Sequence, residues 1–109
     1  MRIFLDECVN AEVKRAFSDD AVQTVTAVGW SALEDGPLLS RLNGEFDVFI
    51  TIDKSIEHQQ NYRKFRFGIV VAHVVRNDVR SWTPLFADLN KLAARVQPGE
   101  LLHVFGPRP

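Results

Sequence analysis

The segment Asp47-Val48-Phe49-Ile50-Thr51-Ile52 constrains this chain most: it is a near-continuous apolar run that stops on an aspartate, Asp53. A strand without polar alternation is buried on both faces, so its sheet needs a layer on either side. Ile69 to Val75 has the same character, and Arg2-Ile3-Phe4-Leu5 reads as a shorter buried strand ending at Asp6. Ala21 to Val25 and Leu101 to Phe105 read as two further strands. Between these runs the period becomes helical. Val9, Val13, Ala16 and Phe17 predict a helix over 9–17, on a stripe narrowed by Glu12. After a loop over 26–36, Leu38, Leu39 and Leu42 predict a helix with Asp35 as its N-cap and Pro37 in its first turn, closed by Asn43-Gly44. A short polar helix runs through Glu57-His58-Gln59-Gln60-Asn61. Leu85, Phe86, Leu89, Leu92, Ala93 and Val96 form an amphipathic helix between Pro84 and Pro98-Gly99. The order βαβαβαβαβ with short connections predicts an α/β fold of three layers, α/β/α, around a central, mainly parallel five-stranded sheet.

Composition narrows the class. The chain has 109 residues, 46% of them hydrophobic and 25% charged, which suits a single globular domain over 1–109. One cysteine, Cys8, excludes an internal disulfide and a multi-cysteine zinc site. No apolar run approaches bilayer length, and Arg2 followed by three apolar residues and then Asp6-Glu7 does not make a signal peptide. The expectation is a cytoplasmic protein with no membrane partner. Glycine-rich nucleotide-binding patterns are absent.

The net charge of −1 conceals a patterned chain. Residues 1–53 carry ten acids and four bases, whereas residues 54–80 carry six bases and two acids. Arg63, Lys64 and Arg66 interleave with Tyr62, Phe65 and Phe67, and Arg76 and Arg80 follow with Asn77 and Trp82 nearby. Guanidinium groups and aromatic faces suit phosphates and unstacked bases. The plainer reading of Arg63 to Arg66 is a solvated loop with Phe65 and Phe67 packed inward.

In open α/β sheets ligands bind beyond the carboxyl ends of the strands. Asp6 and Asp53 end two predicted strands, and Asp35 stands where a loop feeds a helix on the same edge. Carboxylates brought together repel, and a hard cation with oxygen ligands, Mg2+ or Mn2+, relieves the conflict. Taken alone each acid has a plainer role, Asp35 above all as a cap. Glu7 is a ligand, a group behind the ligands, or a first-turn acid favoured by the helix dipole. Lys54 and Arg76 are candidates to steady a phosphate. His58 is a phosphate donor, a general acid or a surface histidine. His73 and His103 read as satisfied core or edge histidines, and Cys8 as an ordinary buried thiol.

Taken together, these pieces resemble the small stand-alone PIN-like proteins, relatives of the VapC-type toxins. The matching segments are Phe4-Leu5-Asp6-Glu7, Val28-Gly29-Trp30-Ser31 running to Asp35-Gly36, and Asp47 through Lys54. Glu57 to Asn61, Gly68-Ile69-Val70-Val71 and Pro98-Gly99-Glu100 complete them. The resemblance implies a PIN-like fold and metal-dependent RNA cleavage, with Asp6, Asp35 and Asp53 at the family's acidic positions and Glu7 beside the first. It also implies an antitoxin protein as partner and a homodimer. The chain departs from the family at Ser55, where relatives commonly carry a fourth acid. Glu57 in its stead, or a single-metal site, are the two readings that follow.

The expectation is therefore a Mg2+- or Mn2+-dependent endoribonuclease, the toxin of a type II toxin–antitoxin pair. Two other classes remain beside it. One is a non-catalytic module that binds RNA or a protein. The other is a receiver-like phosphoacceptor domain built on Asp6, Glu7 and Asp53, against which stands the lack of a lysine in His103-Val104-Phe105-Gly106.

Overall fold

The computed structural model describes residues 1–17, 21–25, 28–29 and 35–106, with only the backbone of Asp35. Among them, five strands form one all-parallel sheet: β1 Arg2–Leu5, β2 Ala21–Thr24, β3 Val48–Thr51, β4 Gly68–His73 and β5 Leu101–Phe105. The order across the sheet is β2-β1-β3-β4-β5. The chain leaves β1 toward β2, then returns to lay β3 on the other side of β1, so the winding reverses between β1 and β3.

Every residue of β3 is buried, and in β4 only His73 is partly exposed. Helices cover both faces, completing the expected three layers. On one face, Ile3, Leu5, Val48, Ile50, Val70 and Ala72 pack against Val13, Trp82, Leu85, Leu89 and Ala93. The helical partners there are α3 Val79–Trp82 and α4 Phe86–Arg95, with a 3-10 helix at Ala11–Ala16. On the other face, Phe4, Phe49, Ile69 and Val71 meet Leu38, Leu39 and Leu42 of α1 Asp35–Leu42 and Ile56 of α2 Ile56–Gln59. Each large side chain fully buried in this way contributes roughly 1.5–3 kcal/mol of transfer free energy. No helix among the described residues is long and apolar enough to cross a membrane.

The helix expected over 9–17 is shorter and tighter than its stripe suggests. The Asp6 carbonyl accepts from the Val9 amide at 2.9 Å, which makes a turn of residues 6–9. Asn10 is then held from outside, its amide donating to Asn77 Oδ1 at 2.9 Å. Helix starts only at Ala11, with the Asn10 side chain accepting from the Glu12 amide, and closes by i to i+3 bonds. A further helix, α3, is capped by Asp78, whose Oδ1 accepts from the Ser81 amide. Its Trp82 is wholly buried and its Nε1 donates to Asn77 Oδ1 at 2.8 Å. Trp82, Phe65 and Phe67 are core residues, so none of the three is open to stack on a base.

Candidate active site

Asp6 and Asp53 stand at the carboxyl ends of the two strands between which the winding reverses. The Asp6 amide extends the β1–β3 pairing by donating to the Ile50 carbonyl at 3.0 Å. That bond sets the Asp6 side chain beside Thr51, whose Oγ1 donates to Asp6 Oδ2 at 2.7 Å. Thr51 Oγ1 in turn accepts from the Asp53 amide at 3.0 Å. A single hydroxyl thus links the two aspartate positions. Thr51 is fully buried and Asp6 is 8% exposed.

The Asp6 carboxylate is held by three donors. Oδ1 accepts from the Glu7 amide at 2.9 Å, and Oδ2 accepts from Thr51 and, at 3.3 Å, from the Cys8 thiol. Such bonds to an ionised acceptor fix the group's orientation. Burial pushes the Cys8 thiol above its ordinary value, and the Asp6 charge adds to this. The thiol therefore stays protonated, as a donor to the carboxylate must.

On Asp53, Oδ1 accepts from the Ser55 amide at 3.0 Å and from Ser55 Oγ at 2.6 Å. Oδ2 accepts no bond among the described residues. Asp53 thereby organises the turn into α2 with one oxygen and leaves the other available. Ser55, at the position where a fourth acid was sought, is a donor to Asp53.

The donor set suits a hard cation. A carboxylate offers about four lone-pair positions, so Asp6 retains one and Asp53 more. Mg2+ typically takes one or two carboxylates and keeps several waters. Among the described residues no group of three or more acidic, histidine or cysteine side chains is gathered for a metal. The Asp35 side chain, like Trp30 and Ser31, lies outside the described residues. Glu7 is exposed, and its carboxylate has no partner among them.

The basic residues divide between the two edges of the sheet. Lys54 follows β3 and Arg76 follows β4, both exposed at the carboxyl edge, as expected. Arg63, Lys64 and Arg66 precede β4 at the amino edge, where the Arg66 amide donates to Asn43 Oδ1. They are exposed while Phe65 and Phe67 pack inward with ring centroids 5.1 Å apart. The +4 segment is therefore not one surface facing the acids. His58 is exposed and its Nε2 lies 3.9 Å from Glu57 Oε1.

Sequence reasoning missed one grouping. Glu57, the residue considered in place of the absent fourth acid, has Oε1 and Oε2 each 3.2 Å from His103 Nε2. His103 Nδ1 is 2.9 Å from His73 Nε2. The signal available was parity: 71, 73, 103 and 105 are odd positions of two strands, but only the pairing Val71–His103 and His73–Phe105 makes neighbours of them. Comparison with protein-family models, with curated proteins and with solved structures finds no match to this chain.

Proposed function

We propose that this protein is a Mg2+- or Mn2+-dependent endoribonuclease of the PIN-like kind, the toxin of a type II toxin–antitoxin pair. The observation that carries the reading is the joining of Asp6 and Asp53 through Thr51 where the winding reverses, the place where open α/β sheets bind ligands. Asp6 and Asp53 would hold the cation, with Glu7 and Asp35 as the remaining acidic candidates. Once bound, such an ion supplies an activated water and offsets charge developing on a phosphate. Lys54 and Arg76 offer cations to the phosphate from the ends of β3 and β4. The buried Thr51 and the protonated Cys8 keep Asp6 in one orientation. RNA as substrate, an antitoxin protein and a second copy of the chain as partners, and a cytoplasmic setting belong to the same reading through the motif resemblance.

The test is cleavage of single-stranded RNA with Mn2+ or Mg2+, beside Asp6→Asn and Asp53→Asn. Wild type is expected to cleave and both variants to be inactive, with relief of growth inhibition. Cleavage persisting in both variants overturns the site. Calorimetric Mn2+ binding without cleavage by wild type identifies a binding module instead. A second reading has an observation of its own: the order β2-β1-β3-β4-β5 is also that of receiver-type phosphoacceptor domains. A mass gain of one phosphoryl group on Asp53 with a small phosphodonor supports that reading, and an unchanged mass excludes it.

A further inference from the structure

Alternation along parallel strands puts Asp6, Thr51, His73 and His103 on the sheet face that also carries Phe4, Phe49 and Val71. Val71 pairs with Thr51, and His73 lies two residues further toward the carboxyl edge, one strand over from the acids. We infer that His73 is the proton donor of the carboxyl-edge site, held in its working tautomer by His103 and Glu57. The inference rests on the nuclease reading given above.

With both rings neutral, the hydrogen bonds leave one tautomer for each. A carboxylate only accepts, so His103 carries its proton on Nε2 and directs it to Glu57. His103 Nδ1 is then an acceptor, and the bond to it at 2.9 Å requires a proton on His73 Nε2. His73 Nδ1 remains as the one imidazole nitrogen of the three-residue chain with a lone pair and no partner among the described residues. One added proton goes to Nδ1 and leaves every bond intact. A second would make both rings donors across the His73–His103 contact and break it. The array therefore accepts a single proton at a single atom, the behaviour required of a general acid. Carboxylate-oriented histidine is a recurrent arrangement for holding an imidazole in position.

The surrounding charges tune that proton. Burial lowers the affinity of His73 for protons, as do Lys54, from the loop that follows β3, and His103, while Glu57 raises it. His58 meets Glu57 from the exposed side of α2. The Phe105 ring stacks on His73 at 4.3 Å between centroids and fixes its plane. In the reaction the attacking water forms the new P–O bond as the bond to the leaving oxygen breaks. His73 Nδ1–H protonates that oxygen, and the proton released by the attacking water restores the imidazolium through solvent.

Two measurements separate the parts. Histidine NMR titrations of wild type, His58→Gln and Glu57→Gln report the array without any reaction. His73 is expected to titrate below the ordinary histidine value, and lower still when the Glu57 charge is removed. His58→Gln assigns the third resonance. A His73 titration unmoved by Glu57→Gln overturns the array. RNA cleavage over pH 5–9 with His73→Gln and His103→Gln tests the role. His73→Gln is expected to lose about 10²-fold or more and the basic limb of the profile. His103→Gln is expected to shift that limb while retaining part of the rate. Wild-type cleavage with an unchanged rate and profile in His73→Gln overturns this inference alone. No cleavage by wild type overturns the nuclease reading, and the proton-donor role with it.

Discussion

Thr51 is a donor to Asp6 and an acceptor for the Asp53 amide, and it is wholly buried. Thr51→Val keeps the shape and removes both bonds. It is expected to cost about 1–3 kcal/mol, because a buried carboxylate and a backbone amide each lose a partner. Urea unfolding measures this, and an unchanged midpoint would show the hydroxyl to be dispensable. Cys8 gives a second residue-scale prediction. Its thiol is held above the ordinary value of 9.0 by burial and by Asp6, so alkylation is expected to be slow at neutral pH and to rise only above that value. Asp6→Asn should quicken it, as read by iodoacetamide kinetics. The acids themselves were legible as strand-ending residues. The role of Thr51 was not, because a threonine inside an apolar run reads equally well as an ordinary strand former.

At the scale of elements, α2 is fastened to β5 and β4 through Glu57, His103 and His73. His73 has its pKa lowered in the folded protein, chiefly by burial and Lys54. Below the ordinary histidine value of 6.5 the unfolded chain therefore binds more protons than the folded one. This contribution to stability is full above 6.5 and is lost as pH falls toward the folded value. Thermal unfolding between pH 5 and 8 is expected to show a Tm falling below pH 6.5, with the slope reduced in His73→Gln. The turn before β5 gives another prediction. Gly99 has φ +80°, and a Cβ there would lie 2.8 Å from the Arg63 carbonyl oxygen. Gly99→Ala is expected to cost about 1–3 kcal/mol for the backbone conformation alone, measured by denaturant unfolding. Pro98-Gly99 and the bounds of β5 were readable because turn chemistry and the apolar run agree there. The helix at 9–17 was not, because the Asn77 clamp that delays its start is 67 residues away along the chain.

Across the whole molecule, the sheet order decides which charges share a surface. Lys54 and Arg76 lie at the carboxyl edge with Asp6 and Asp53, whereas Arg63, Lys64 and Arg66 lie at the opposite edge. If RNA is held at the carboxyl edge, Arg76→Ala should lower the slope of log affinity against log salt by about 0.7, the value for one phosphate of a single strand. Arg66→Ala should leave that slope unchanged. Equal effects from the two variants would place the RNA elsewhere.

The sequence by itself determined the layers and the strand ends. An apolar run without alternation must be covered on both faces, and an aspartate that stops such a run must sit at the edge of the sheet. It also determined the total charge, but not its arrangement. Only the tertiary structure decided that β3 lies beside β1, which joins Asp6 to Asp53 through Thr51. It alone set β5 beside β4, which turned two histidines read separately as core or edge residues, with Glu57, into one hydrogen-bonded chain. The reason is that periodicity reports which face of its own element a residue occupies. Which elements become neighbours depends on how the whole set of apolar faces is buried together.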